Sequence, residues 1–270
     1  MKKLMIAAVA AGLCVPVFAD VTSANIVGYA TQNQLVKDKF YIFGSQFDGI
    51  GGGKKINDII GSVKGVDWDA DDIFLDTASQ IQIPKTGGYD TYYFLNDGWY
   101  DDGTEEGAMK PGWCDLNGLI IEDIEITPGV AFWFKNKTED DSSWNQSGEV
   151  PNVGQVRVEV PVNFQLRNFP FPMSVELNSA HLDNSEMTGV DWDADDAFLE
   201  TAPQIQIPKV GGYDTYYYLN DGWYDDGTEE GGMKPGWCDL NGIIADVAVP
   251  VGQGFWTKGV TAPGWITFKK

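Results

Sequence analysis

Strict alternation of apolar and polar positions marks much of this chain as β-strand. "QVRVEV" (Gln155–Val160) puts Val156, Val158 and Val160 on one face, and "QIQI" alternates at Gln80–Ile83 and again at Gln204–Ile207. "DTYYFLNDGWYDDG" (Asp90–Gly103) has aromatic runs on either side of Asn-Asp-Gly, which predicts a hairpin turning at Asn96–Gly98. "IEDIEI" (Ile121–Ile126) and "VAFWF" (Val130–Phe134) predict two more strands separated by a Pro-Gly turn. Helical spacing occurs only in Lys55–Val63, through Ile56, Ile59 and Ile60, and covers one or two turns. The pattern predicts an all-β protein of sandwiches or small barrels, each with at most one short helix.

The pattern is written twice. An offset of 124 residues superposes Gly65–Gly118 on Gly189–Gly242 without a gap, with 48 of 54 positions identical. "TPGVAFWFK" (Thr127–Lys135) then meets "PVGQGFWTK" (Pro250–Lys258) at an offset of 123. Upstream the residues diverge but the spacing persists, since Phe40, Ile42 and Phe47 fall on Phe164, Leu166 and Phe171. A unit of about 120 residues is domain-sized. Two tandem homologous domains are expected, at 20–148 and 149–270, joined near Gln146–Gly154.

The first nineteen residues, "MKKLMIAAVAAGLCVPVFA", have the build of a secretory signal. Lys2 and Lys3 precede a short apolar run, and Val17-Phe18-Ala19 suits cleavage. Leu13 before Cys14 is the wrong neighbour for lipoprotein processing. Export to the periplasm, cell surface or medium is expected, with no membrane insertion, because no stretch is long and apolar enough to span a bilayer.

Charge narrows the partners. The chain carries −22, or −24 without the signal, and Gly65–Gly118 and Gly189–Gly242 contribute −10 each. Such a surface repels nucleic acid and anionic lipid. Ten Trp and 13% aromatic residues argue for packed cores instead of disorder.

"SANIVGY" after the signal, "GYDTYYYLNDGWYDD" in the block, and the close of "PG", "AFWF" and "GEV" resemble a loose group of secreted repeat proteins. These come from bacteria of the verrucomicrobial and planctomycete kind. The resemblance covers most of each unit and rests on aromatic and glycine punctuation. It implies export, tandem β-domains and a non-enzymatic protein, and it transfers no functional residue.

Three features bear on chemistry. Asp67, Asp69, Asp71 and Asp72, repeated as Asp191, Asp193, Asp195 and Asp196, alternate closely enough to converge on a calcium ion. An EF-hand needs glycine at position six and glutamate at twelve, where this chain has Asp72 and Ala78. On an extended strand the same carboxylates would line a solvated face, with Trp68 and Ala70 turned to the core. Second, Trp99, Tyr100, Asp101 and Asp102, with Trp223, Tyr224, Asp225 and Asp226, pair aromatic surface with acceptors, as a sugar-binding site would. The plain alternative is a hairpin strand alternating between core and surface.

Third, Cys114 and Cys238 occupy equivalent positions, so a disulfide requires a packing that brings those two points within about 7 Å. Otherwise they are small buried thiols. The single histidine, His181, falls on Asn57 of the other copy, so a histidine-based catalytic device exists at most once. A non-enzymatic structural or interaction protein is expected, presenting two acidic, aromatic faces to surface or matrix proteins, to glycans or to itself. The alternative is a calcium-dependent carbohydrate-binding module.

Overall fold

The computed structural model describes residues 27–49, 55–59, 63–69, 71–85, 87–101, 103–104, 106–122, 124–126, 129–138, 142–193, 197–260 and 263–270. The signal segment 1–19 lies outside them. Among the described residues seven strands occupy the first half: β1 (Val27–Leu35), β2 (Phe40–Gly44), β3 (Gln80–Lys85), β4 (Gly88–Tyr100), β5 (Ala108–Cys114), β6 (Ala131–Lys135) and β7 (Ser142–Glu149). Ten follow: β8 (Gln155–Val160), β9 (Gln165–Asn168), β10 (Val175–Glu176), β11 (Leu182–Glu186), β12 (Gln204–Lys209), β13 (Gly212–Tyr224), β14 (Gly232–Cys238), β15 (Ala248–Val249), β16 (Gly254–Lys258) and β17 (Gly264–Lys269). Three single helical turns complete the described elements: α1 (Ile56–Ile59), α2 (Phe74–Thr77) and α3 (Phe198–Thr201). The protein is all-β.

Each half is a two-layer sandwich. The first has the antiparallel sheet β2-β6-β3-β4-β5 covered by the pair β1-β7, and the second has β9-β16-β12-β13-β14 covered by β11-β17-β8. None of these sheets closes into a barrel. Alternation decides which side chains meet between the layers. In the first half Phe43, Ile81, Phe94, Trp113, Phe132 and Phe134 of the larger sheet pack on Leu35 and Trp144 of the smaller one. In the second half Ile205, Tyr218, Trp237 and Phe255 meet Val160, Ile266 and Phe268. Each such side chain contributes about 1.5–3 kcal/mol when fully buried.

Three expectations change. The Asn96–Gly98 segment is not a turn, because β4 runs straight through it as thirteen residues. Its register against β5 shifts between Leu95 and Gly98, the mark of a bulge. A Cβ on Gly98 would sit 2.4 Å from Cys114 Sγ and 2.6 Å from Ile120 Cδ1, so the glycine serves close approach and not chain reversal. Reversal occurs earlier, between Lys85 and Gly88, where Gly87 has φ +85°. Ile121–Ile126, expected as a strand, has one isolated bridge among its described residues, Lys55↔Glu125. The first half also carries a second helical turn, α2, one more than its pattern announced.

The offset of 124 breaks down in the diverged flank. Asn57 Nδ2 donates to the carbonyls of Trp113 (3.4 Å) and Ile121 (2.7 Å), while the Trp113 N–H donates to Asn57 Oδ1 (2.8 Å). Asn178 makes the same three bonds, to the carbonyls of Trp237 and Ala245 (both 2.9 Å) and from the Trp237 N–H (2.8 Å). Asn178, not His181, is therefore the counterpart of Asn57. His181 instead lies with Nδ1 3.2 Å from the Lys269 carbonyl.

The halves meet through reciprocal contacts. Phe43 bridges Gln253 and Val130 bridges Arg167, pairs that exchange under the repeat offset. The Gly44 N–H donates to the Gly252 carbonyl (3.3 Å), and the Asn168 N–H donates to the Gly129 carbonyl (3.2 Å). Trp133 meets its own equivalent, Trp256, with centroids 5.9 Å apart. This is an approximate two-fold packing. It leaves the outer strands β5 and β14 at opposite edges of the sheets.

Replacing Asn57 or Asn178 by Ala strands the N–H of Trp113 or Trp237 and the carbonyl of Ile121 or Ala245. The Trp113 and Trp237 carbonyls keep the Ile121 and Ala245 N–H groups, and the loss should be about 1–3 kcal/mol. Urea unfolding should also show a loss for Asn178→Asp, because a carboxylate still accepts the Trp237 N–H but cannot donate to the Ala245 carbonyl. An unmoved midpoint would contradict the clamp.

Candidate functional site

The acidic run is a folded loop and not an extended strand. Asp69 Oδ1 accepts the N–H of Asp71 (3.1 Å) and Ile73 (2.8 Å), and its Oδ2 accepts that of Phe74 (2.9 Å). Asp193 repeats this with Ala197 (3.0 Å) and Phe198 (3.1 Å). These carboxylates satisfy the open donors at the start of α2 and α3. Asp67 Oδ1 accepts from Asn96 Nδ2 and Asp191 Oδ1 from Asn220 Nδ2, each at 3.0 Å. Asp71 is exposed, Asp72 holds a left-handed φ of +60°, and Asp195 and Asp196 lie outside the described residues. Among the described residues no three His, Cys, Asp or Glu side chains are grouped to hold a metal.

The loop is anchored by a small second core on the far face of the sheet. Phe74, Ala78, Leu95, Cys114 and Ile120 are buried there, and Phe198, Ala202, Leu219 and Cys238 repeat the arrangement. Cys114 and Cys238 are thus free thiols in separate clusters, which removes the disulfide reading. Burial, aided by the neighbouring Asp115 and Asp239, pushes each thiol up to about 12. Thiolate is scarce at neutral pH.

With the loop folded, Trp68 turns outward and not to the core. It meets Trp99 from β4, Met109 from β5, and Asn117, Gly118 and Leu119 from the turn after β5, with Asp97 beside them, in a shallow open concavity of about 400 Å³. The Asp97 carboxylate fixes the arrangement by accepting the Trp68 N–H at 2.7 Å. Asp115 Oδ1 holds the turn by accepting the N–H of Asn117 (2.8 Å) and Leu119 (3.0 Å). Both indoles rest on glycine. A Cβ on Gly118 would lie 2.6 Å from Trp68, and one on Gly107 would lie 2.5 Å from Trp99. Trp99 Nε1 donates to the Glu106 carbonyl (3.2 Å), so the ring leaves apolar surface exposed.

The second half reproduces this patch. Exposure is 43% at both Trp68 and Trp192, 38% and 39% at Trp99 and Trp223, 69% and 72% at Met109 and Met233, and 41% and 42% at Leu119 and Ile243. Asp221 accepts the Trp192 N–H at 2.8 Å, and Gly242 and Gly231 seat the two rings. Of the aromatic–acidic cluster read from the sequence, only Trp99 and Trp223 join the patch. Tyr100 and Tyr224 pack partly against the sheet and carry Lys110 and Lys234 over their rings at 4.1 and 4.5 Å. Asp101 and Asp225 accept the N–H of Gly103 and Gly227, each at 2.8 Å. Asp226 accepts both the hydroxyl (2.6 Å) and the N–H (2.9 Å) of Thr228, which hold its carboxyl below the usual range. Asp102 lies outside the described residues.

Sequence reasoning missed Trp68, Asp97, Met109, Asn117 and Leu119 as members of one site. The available signal was glycine next to acid-rich turns, at Gly107 and Gly118, where an indole needed a seat. No protein-family model, curated protein or solved structure matches this chain.

Two outcomes follow from this geometry. Ellman's reagent at pH 8 should leave both native thiols of the chain lacking residues 1–19 unreacted and label both after unfolding; rapid native labelling would contradict their burial. Melting in millimolar calcium and in chelator should coincide, since the Asp69 and Asp193 carboxylates already accept backbone donors. A rise in Tm with calcium would favour the metal reading.

Proposed function

We propose that this chain is an exported, non-enzymatic interaction protein that displays two equivalent acidic, aromatic faces at the cell surface, in the periplasm or outside the cell. One observation carries the reading: an exposed patch of two Trp, a Met and a branched aliphatic residue recurs in both halves with matching exposure. Large apolar side chains clustered on the surface cost free energy in water unless a partner covers them. Here they are also held rigid by glycine seats and by the Asp97 and Asp221 hydrogen bonds, so little ordering remains to be lost on binding.

Two rigid faces on one chain support avidity toward a target that repeats. The acidic blocks work against anionic targets. Among the described residues no helix is long and apolar enough to cross a membrane.

Co-sedimentation with insoluble bacterial envelope and matrix fractions tests the reading. The chain lacking residues 1–19 should pellet with such material. The paired variant Trp99→Ala/Trp223→Ala should bind at least tenfold less, and either single variant should fall between. Equal binding by the wild type and the paired variant, or no binding by either, would overturn the proposal.

A further inference from the structure

We infer that the concavity at Trp68/Trp99 and the equivalent exposed patch at Trp192/Trp223 are each a subsite for one uncharged pyranose ring of a neutral polysaccharide. The inference rests on the interaction reading above and assigns it a ligand class. Three properties of the concavity lead there.

The first is its floor. Two indoles, Met109 and Leu119 offer flat and flexible apolar surface, and Trp99 has its only polar atom engaged by the Glu106 carbonyl. A ligand must therefore present an apolar face, as a pyranose does with its axial C–H groups.

The second is the polarity of the groups beside that floor. Asp97 uses Oδ1 for the Trp68 N–H, which leaves Oδ2 as an acceptor. Asn117 donates its amide to Asp115 Oδ2 (3.2 Å), which leaves its carbonyl oxygen as an acceptor. Asn241 and Asp239 repeat this at 3.3 Å. Asp97 Oδ2 and the Asn117 carbonyl oxygen call for donors on the ligand, while the Trp68 indole N–H and the second N–H of the Asn117 amide call for acceptors. The ligand must therefore bring groups that do both, as hydroxyls do. Hydroxyl groups around a sugar ring supply donors next to an apolar face. Uronate, sulfate and phosphate groups would add negative charge beside a block that already carries −10.

The third is shape and number. The concavity is shallow and open at about 400 Å³, unlike the enclosed clefts that bury most of a small ligand. It suits one ring of a longer chain lying across the surface. Two copies on one molecule then give a polymer two points of attachment, and affinity rises through effective concentration.

Affinity electrophoresis of the chain lacking residues 1–19 tests this, in gels containing a β-glucan, a xylan, a mannan or a galactan, with polygalacturonate as the anionic control. At least one neutral polymer should retard the protein, and polygalacturonate should not. The paired variants Trp68→Ala/Trp192→Ala and Met109→Glu/Met233→Glu should each weaken retardation at least tenfold. The methionines are more than two-thirds exposed, so thermal melting should confirm that the second variant folds. Retardation that survives in both paired variants, or none by any neutral polymer, overturns the inference. Fluorescence anisotropy with an oligolysine peptide covers the other donor-rich class: binding lost in Trp68→Ala/Trp192→Ala, without retardation by neutral polymers, would replace the sugar by a cationic segment. Envelope binding that depends on Trp99 and Trp223 without polysaccharide binding would sink the sugar assignment alone; loss of both would sink the interaction reading too.

Discussion

Hydrogen bonds from backbone N–H groups to carboxylates hold this protein's surface together. Each 54-residue block has twelve acids and two lysines, and one of those lysines pairs with a neighbouring acid, Lys85 with Asp90 and Lys209 with Asp214. Oppositely charged side chains are too few to organise so many carboxylates. Backbone donors do it instead: Asp69 closes α2, Asp97 positions Trp68, Asp101 bends the chain at Gly103 and Asp115 builds the turn that carries Leu119. A hydrogen bond to an ionised acceptor is roughly twice as strong as a neutral one. The acids thus shape the loops, and the loops place the tryptophans.

The strands were legible because alternation is a local signal. Gln155–Val160 appears as a strand with the bounds its pattern announced, and Gln80–Ile83 lies within β3. The hairpin reading of Asn96–Gly98 failed because Asn-Asp-Gly serves turns and bulges alike, and the deciding neighbours, Cys114 and Ile120, are distant in sequence. Trp68 was misplaced for a related reason. On an extended strand it would face the core, but Asp69 gathers three N–H groups and folds the segment, which turns the indole out. Asn178 escaped notice because the flanks differ in length, and only its bonds to Trp237 and Ala245 reveal its role.

Two of the six differences between blocks can be placed against their local contacts. Tyr218 replaces Phe94, and its hydroxyl donates to the Asn184 carbonyl (3.3 Å) on β11, a strand without a first-half counterpart among the described residues. Asn184 Oδ1 also accepts Trp237 Nε1 (3.1 Å), whereas Trp113 Nε1 has no partner among the described residues. The second core therefore tolerates a phenol where the first takes a phenyl ring. The substitution of Ala197 for Ile73 falls at the exposed start of the helical turn, where either side chain leaves the cap intact.

The join between the halves sets direction as well as contact. Gly44 and Asn168 are equivalent positions that face each other there, and a Cβ on Gly44 would lie 2.0 Å from Asn168 Cγ. Asn168 is fully buried and donates to the Ser45 and Phe169 carbonyls, at 2.9 and 3.0 Å. The smallest residue on one side makes room for the amide on the other. A chain assembled from two first halves would oppose glycine to glycine and leave a gap, while two second halves would force two asparagines into space for one. The molecule is in this sense a matched left-and-right pair made in one piece, with its two tryptophan faces set in place by a join in which glycine on one side fits asparagine on the other.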